Sequence, residues 1–165
     1  MRVIGIDPGT YQTGFGIIDD DNGHLSYVAS GCLESRAQQV SKRYESIYSQ
    51  LVAVLEEYKP QMCAVESAFY YKNPQVTMRL GEIRGIVILS AIQWKMDIVE
   101  YSPLEVKKSV VGYGRADKTQ VRKMVKALLG LKTISGANDV SDALAIAISH
   151  IHNRKSITRY LIKTI

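Results

Sequence analysis

Residues 4–10 read Ile4-Gly5-Ile6-Asp7-Pro8-Gly9-Thr10. Residues 1–6 are short, apolar and β-branched, the pattern of a buried strand, and Pro8-Gly9 ends it. A carboxylate thus closes an apolar strand. The same arrangement returns at Cys63-Ala64-Val65-Glu66. A third acidic segment, Asp139-Val140-Ser141-Asp142, opens the apolar run Ala143-Leu144-Ala145-Ile146-Ala147-Ile148. Burying an unpaired carboxylate is costly, so the group neutralises or finds a partner. If the strands ending at Asp7 and Glu66 are adjacent and parallel, both acids share one sheet edge, where open sheets build their sites. Asp139 and Asp142, three residues apart, share one helix face.

Each acid also has a purely structural explanation. Asp7 can hydrogen-bond the turn behind it. Asp139 can be an N-cap with Asp142 as the N3 residue of a capping arrangement, favoured by the helix dipole. Taken together, the four are better explained by hard divalent cations, which prefer oxygen ligands. Two such ions about 3.5–4 Å apart clamp the attacking and leaving oxygens of a phosphoryl displacement. The pattern points to phosphodiester hydrolysis.

The rest of the chain supplies a frame. Short strands are predicted over 15–18 and 25–33, joined by the turn cluster Asp19-Asp20-Asp21-Asn22-Gly23, so the first three strands form an antiparallel meander. The acidic triplet lacks the other ligand positions of a calcium loop and reads as an exposed turn. A helix is predicted over 40–58 from the spacing of Val40, Ile47, Leu51, Val54 and Leu55, stopped by Lys59-Pro60. Strands follow at 62–65 and 98–101. Asn73-Pro74 caps a helix to about residue 94, with Met78, Gly81, Gly85 and Leu89 on related faces that suit close packing against a helix or a second subunit. Ser102-Pro103 starts a short helix to 107 or 108, and further helices cover 117–129 and 139–152. This order argues for an α/β chain with a five-stranded mixed sheet covered by helices, later strands parallel to the first. All 165 residues are expected in a single domain, with a basic tail from about 153 that has weak pattern and is expected to be mobile.

Bulk properties narrow the class. Twenty-one Lys+Arg against 16 Asp+Glu give net +5, which permits a polyanionic partner without demanding one. Cys32 and Cys63 lack metal-ligand spacing and read as free thiols in a reducing compartment. The three histidines do not complete a zinc site either. Asp7 and Pro8 interrupt the opening apolar run, and no stretch approaches the roughly 18 apolar residues of a membrane span. A cytoplasmic protein without a membrane partner is expected.

The motifs Ile4–Thr10, Glu66-Ser67-Ala68-Phe69, Lys118 with Gln120-Val121, and Asp139–Ala147, in this order and spacing over residues 1–152, resemble the RuvC family of Holliday-junction resolvases. The resemblance implies an RNase H-like fold with helices on both sheet faces and a homodimer. It implies paired, symmetrical, Mg²⁺-dependent nicking of four-way DNA junctions in recombination and repair, with Mn²⁺ able to substitute and two ions per site during catalysis. Carried over residue by residue, the catalytic and metal-binding acids are Asp7, Glu66, Asp139 and Asp142. Phe69 matches an aromatic that stacks on an unpaired base, and Lys107 and Lys118 match lysines beside the DNA. RuvA and RuvB are the implied branch-migration partners. Tyr70-Tyr71 depart from the family's usual residues after Phe69, and nothing is carried onto residues 156–165. A related RNase H-like nuclease acting on RNA, of the YqgF type, is the alternative. An actin-like ATPase shares Asp7-Pro8-Gly9-Thr10 but needs two lobes and a second glycine-rich loop. A catalytically silent DNA-structure-binding module would not need the four acids.

Overall fold

Alternation along the first strand decides which face carries the site. In the computed structural model, which describes residues 1–67, 73–136 and 138–154, strand β1 is Arg2–Asp7. Ile4 and Ile6 belong to one core cluster and Val3 to the other. Side chains alternate across a strand, so Asp7 falls on the face of Val3 and Gly5. Strand β4, Met62–Glu66, repeats this: Cys63 and Val65 join Ile4 and Ile6, while Ala64 joins Val3. Glu66 therefore lies on the same face as Asp7.

Five strands form one sheet in the order β3-β2-β1-β4-β5, with β2 Gln12–Asp21, β3 His24–Glu34 and β5 Asp97–Tyr101. The β1–β2 and β2–β3 pairs are antiparallel; β1–β4 and β4–β5 are parallel. Ile6 pairs with Val65, which brings the carboxyl ends of β1 and β4 level. The mixed sheet and the meander are as the sequence predicts, and β1 and β4 meet the condition, adjacent and parallel, on which a shared edge for Asp7 and Glu66 depends. Strand β2 is longer than predicted, because its polar ends pair with β3 through the backbone ladder irrespective of side-chain polarity.

One face is covered by helices α1 (Val40–Tyr58) and α2 (Pro74–Gln93). Ile47, Leu51, Leu55, Ile83 and Val87 pack there against Ile4, Ile6, Cys63 and Val65. Left-handed Lys59, φ 49°, ends α1 before Pro60. Asn73 caps α2 by accepting from the Gln75 N–H at 3.0 Å, with Pro74 in the first turn. The other face carries α3 (Pro103–Val111), α4 (Lys118–Leu128) and α5 (Asn138–Asn153). Capping boxes start α3 (Ser102 with Glu105) and α4 (Asp117 with Gln120). Helix α3 runs past the predicted 107 or 108 because Val110 is buried on the same side as Val106, and left-handed Gly112 then caps it. No described helix is long and apolar enough to cross a membrane.

Helix α5 is buried along nearly its whole length and lies directly on β1 and β2. Gly5 makes this approach possible. A Cβ on Gly5 would stand 2.1 Å from the Ala143 carbonyl oxygen and 2.6 Å from the Ala147 nitrogen. At Gly14 it would meet the Asp139 carbonyl oxygen at 2.2 Å. Backbone lies on backbone, so the start of α5 is set down beside the end of β1.

Candidate active site

Asp7, Asp139 and Asp142 converge. One carboxylate oxygen from each lies within 4.8 Å of the others, the only such group of possible metal ligands among the described residues. Asp7 arrives at the end of β1, Asp139 and Asp142 in the first turn of α5. Helix α5 begins at Asn138, so Asp139 lies inside the helix and is not its N-cap. Glu66 enters from the end of β4, and its carboxyl hydrogen-bonds that of Asp7. All four line one cavity of about 530 Å³.

The electrostatics follow from crowding. Burial, then the charges of Glu66, Asp142 and Asp139, push the Asp7 carboxyl up from 3.8 to about 8. Burial also raises Glu66, less so because Asp7 donates a hydrogen bond to it. Without a cation the pair therefore retains a proton near neutral pH. Lys118, the first residue of α4, supplies one compensating charge. Its Nζ is 2.9 Å from Asp142 Oδ2, and this partner raises the ammonium pKa. Lys107 of α3 lines the same cavity. Phe69 lies outside the described residues.

Donor chemistry tests what the acids can hold. Four carboxylates with no nitrogen or sulfur ligand among them fit a hard divalent ion such as Mg²⁺ or Mn²⁺. A site for a soft metal would require thiolate or imidazole. His150 does not contribute: it is 1% exposed, and its Nδ1 is 3.2 Å from the Tyr101 hydroxyl.

Two groups, one lining this cavity and one beside it, were not singled out from the sequence. Arg84 of α2 lines its wall and ion-pairs with Glu100 of β5. These residues are 16 apart in different elements, and neither has a local sequence signal. Tyr11 stands on the turn after Asp7, and its only signal is an aromatic in a polar turn next to a site acid.

Residues 3–150 match the family model described as crossover junction endodeoxyribonuclease RuvC. A protein of that name from Caldicellulosiruptor saccharolyticus is 46% identical over 159 residues, covering 95% of this chain and 96% of the relative. Another from Polynucleobacter necessarius is 49% identical over 153 residues, covering 93% and 89%. Among solved structures, T. thermophilus RuvC in complex with a Holliday junction substrate superposes with a TM-score of 0.91 at 29% identity, covering 98% of this chain and 99% of that one.

Proposed function

The chain belongs to the RuvC family of crossover junction endodeoxyribonucleases, and from this premise we propose that it resolves four-way DNA junctions by paired, symmetrical, Mg²⁺-dependent nicking. The observation that carries the chemistry is the convergence of Asp7, Asp139 and Asp142 within 4.8 Å, with Glu66 in the same cavity. In this reading the four acids are the catalytic residues and hold the divalent ions. When bound, such ions activate water and stabilise the departing 3′ oxygen. Divalent ions held by these carboxylates would supply the positive charge that the proton shared by Asp7 and Glu66 supplies without them. Lys118, now 2.9 Å from Asp142 Oδ2, would compete with such an ion for that carboxylate and is the cation nearest to hand for a phosphate of the substrate strand. Lys107 provides a second cation on the cavity wall. Phosphate contacts of this kind position the strand without reading its sequence.

Phe69, three residues beyond Glu66, is assigned to stacking on an unpaired base near the crossover. The two-fold symmetry of a junction calls for two equivalent sites, which a homodimer supplies. Helix α2 is the proposed interface: Met78, Leu89 and Ile92 are exposed on it, and a Cβ on Gly81 or Gly85 would meet open space. RuvA and RuvB are the proposed partners, and residues 1–165 are read as one nuclease domain in the cytoplasm.

The test compares a mobile synthetic four-way junction, a matched linear duplex and an RNA–DNA hybrid in Mg²⁺. The junction is expected to be cut in preference to both. Asp7→Asn is expected to bind the junction without cutting it. Cutting by Asp7→Asn at the wild-type rate would refute the metal-site assignment, and preferential cutting of the hybrid would favour an RNA-directed nuclease.

A further inference from the structure

Directly after Asp7 the chain makes the turn Pro8–Tyr11, and this turn is held from two sides. Thr13, fully buried, bridges it through Oγ1, 3.4 Å from the Gly9 nitrogen and 3.3 Å from the Gly9 oxygen. Arg43 holds the other end. It occupies the inward face of α1 in series with Ile47, Leu51 and Leu55, and is only 5% exposed. A buried guanidinium must satisfy its donors. Its Nε and Nη2 donate to the Ala37 carbonyl at 3.3 and 3.1 Å, and Nη1 reaches the Thr10 carbonyl at 3.5 Å. Its Cζ lies 4.1 Å from the centroid of the Tyr11 ring, a cation–π stack.

Tyr11 is nevertheless 62% exposed. One ring face is fixed on a buried cation and the rest stands in solvent. An exposed aromatic is normally free to rotate; this one is held flat by a residue rooted in the core. It borders a second cavity of about 400 Å³ that shares Gly9, Thr10, Gln12 and Asp139 with the acid cavity. The turn residues Gly9 and Thr10, with Asp139, are thus common to the walls of both cavities. Arg36 is exposed in the second cavity. Glu34 is also there, engaged by Gln12 Nε2 at 3.0 Å.

We propose that Tyr11, backed by Arg43, is a stacking platform for a nucleotide of the cut strand adjoining the scissile phosphate, with Arg36 facing the next phosphate along. Every base has a π-face, so such a platform positions the strand whatever its sequence. Arg43 is a positioning residue, because it acts only through the Tyr11 ring and the turn. The inference rests on the reading of the acid cavity as the site of strand cleavage.

Wild type, Tyr11→Phe and Tyr11→Ala are compared on one four-way junction. Single-turnover cutting is measured in Mg²⁺ and binding in EDTA. In parallel, 5-iododeoxyuridine is placed singly at each nucleotide flanking the cut, and ultraviolet cross-links are mapped to peptides. Tyr11→Phe keeps the ring and is expected to behave as wild type. Tyr11→Ala is expected to lose about tenfold in cutting or binding, with its melting temperature unchanged. The cross-link is expected at Tyr11 from a nucleotide next to the cut. Wild-type behaviour of Tyr11→Ala, or an equal loss in Tyr11→Phe, overturns the platform while leaving junction cleavage intact. If wild type does not cut the junction, the functional reading fails separately. A cross-link at Tyr11 then still supports the platform, and its absence overturns it.

Discussion

Gly5→Ala tests whether the α5–β1 approach is what assembles the site. The methyl group would stand 2.1 Å from the Ala143 carbonyl oxygen and 2.6 Å from the Ala147 nitrogen. Ordinary contact begins near 3.4 Å, so the backbones must separate by about 1.3 Å. No side-chain rotation relieves the clash, because both nearest atoms are backbone. Helix α5 carries Asp139 and Asp142, and β1 carries Asp7, so the displacement opens the acid cluster directly. Overpacking of this kind costs about 1–3 kcal/mol. Misplacing a catalytic constellation by about 1 Å can cost on the order of 10²-fold in rate. Urea denaturation and single-turnover junction cutting measure the two effects on the same preparation. Gly31→Ala is the comparison: its Cβ would meet the Phe15 ring at 2.8 Å, and a ring can move where a backbone cannot. Gly31→Ala is expected to cut nearly as wild type. Ala147→Gly in the Gly5→Ala background is expected not to restore cutting, because the 2.1 Å contact with Ala143 remains. Wild-type stability and cutting in Gly5→Ala would refute the reasoning, as would full rescue by Ala147→Gly.

Other expectations follow from the charges and the exposed helix. In EDTA, the Asp7 carboxyl is raised from 3.8 to about 8 by burial and its acidic neighbours; a raised acid favours its protonated fold, so stability is greatest below about pH 4 and falls as pH rises through that range. Asp7→Asn is then expected to gain about 1–3 kcal/mol over wild type by pH 8, with a smaller gap at pH 5, and equal gaps in urea midpoints at the two values would count against it. Lys118→Ala removes the cation 2.9 Å from Asp142, and is expected to tighten Mg²⁺ binding in calorimetry while slowing cutting about tenfold or more; weaker ion binding would show that Lys118 does not compete for Asp142. Leu89→Asp on the exposed face of α2 is expected to give a monomer in sedimentation at micromolar concentration, and an unchanged dimer would move the interface elsewhere.

Much of the fold was legible because its signals are short-range. The apolar runs ending on Asp7 and Glu66, the caps at Asn73, Ser102 and Asp117, and the stop at Lys59-Pro60 each act within a few residues. Errors fell where the partner is distant. Strand β2 outran its apolar centre because β3 pairs with its polar ends, and α3 outran its estimate because Val110 is buried. The four acids singled out from the sequence line one cavity, with Asp139 and Asp142 on one helix, but Asp139, a candidate cap from the sequence, lies inside the helix.

By itself the sequence determined which acids stand at the ends of apolar elements, which points to phosphodiester hydrolysis, and the motifs it shares with RuvC proteins gave the family. Tertiary structure alone decided the distances. Gly5 and Gly14 admit α5 onto the sheet closely enough for three acids to meet within 4.8 Å. Lys118 reaches Asp142 across 24 residues, and Arg43 fixes Tyr11 from a different element. Such contacts join residues far apart in the chain, so periodicity and capping do not encode them. They exist only once two packed faces of one sheet bring the elements together.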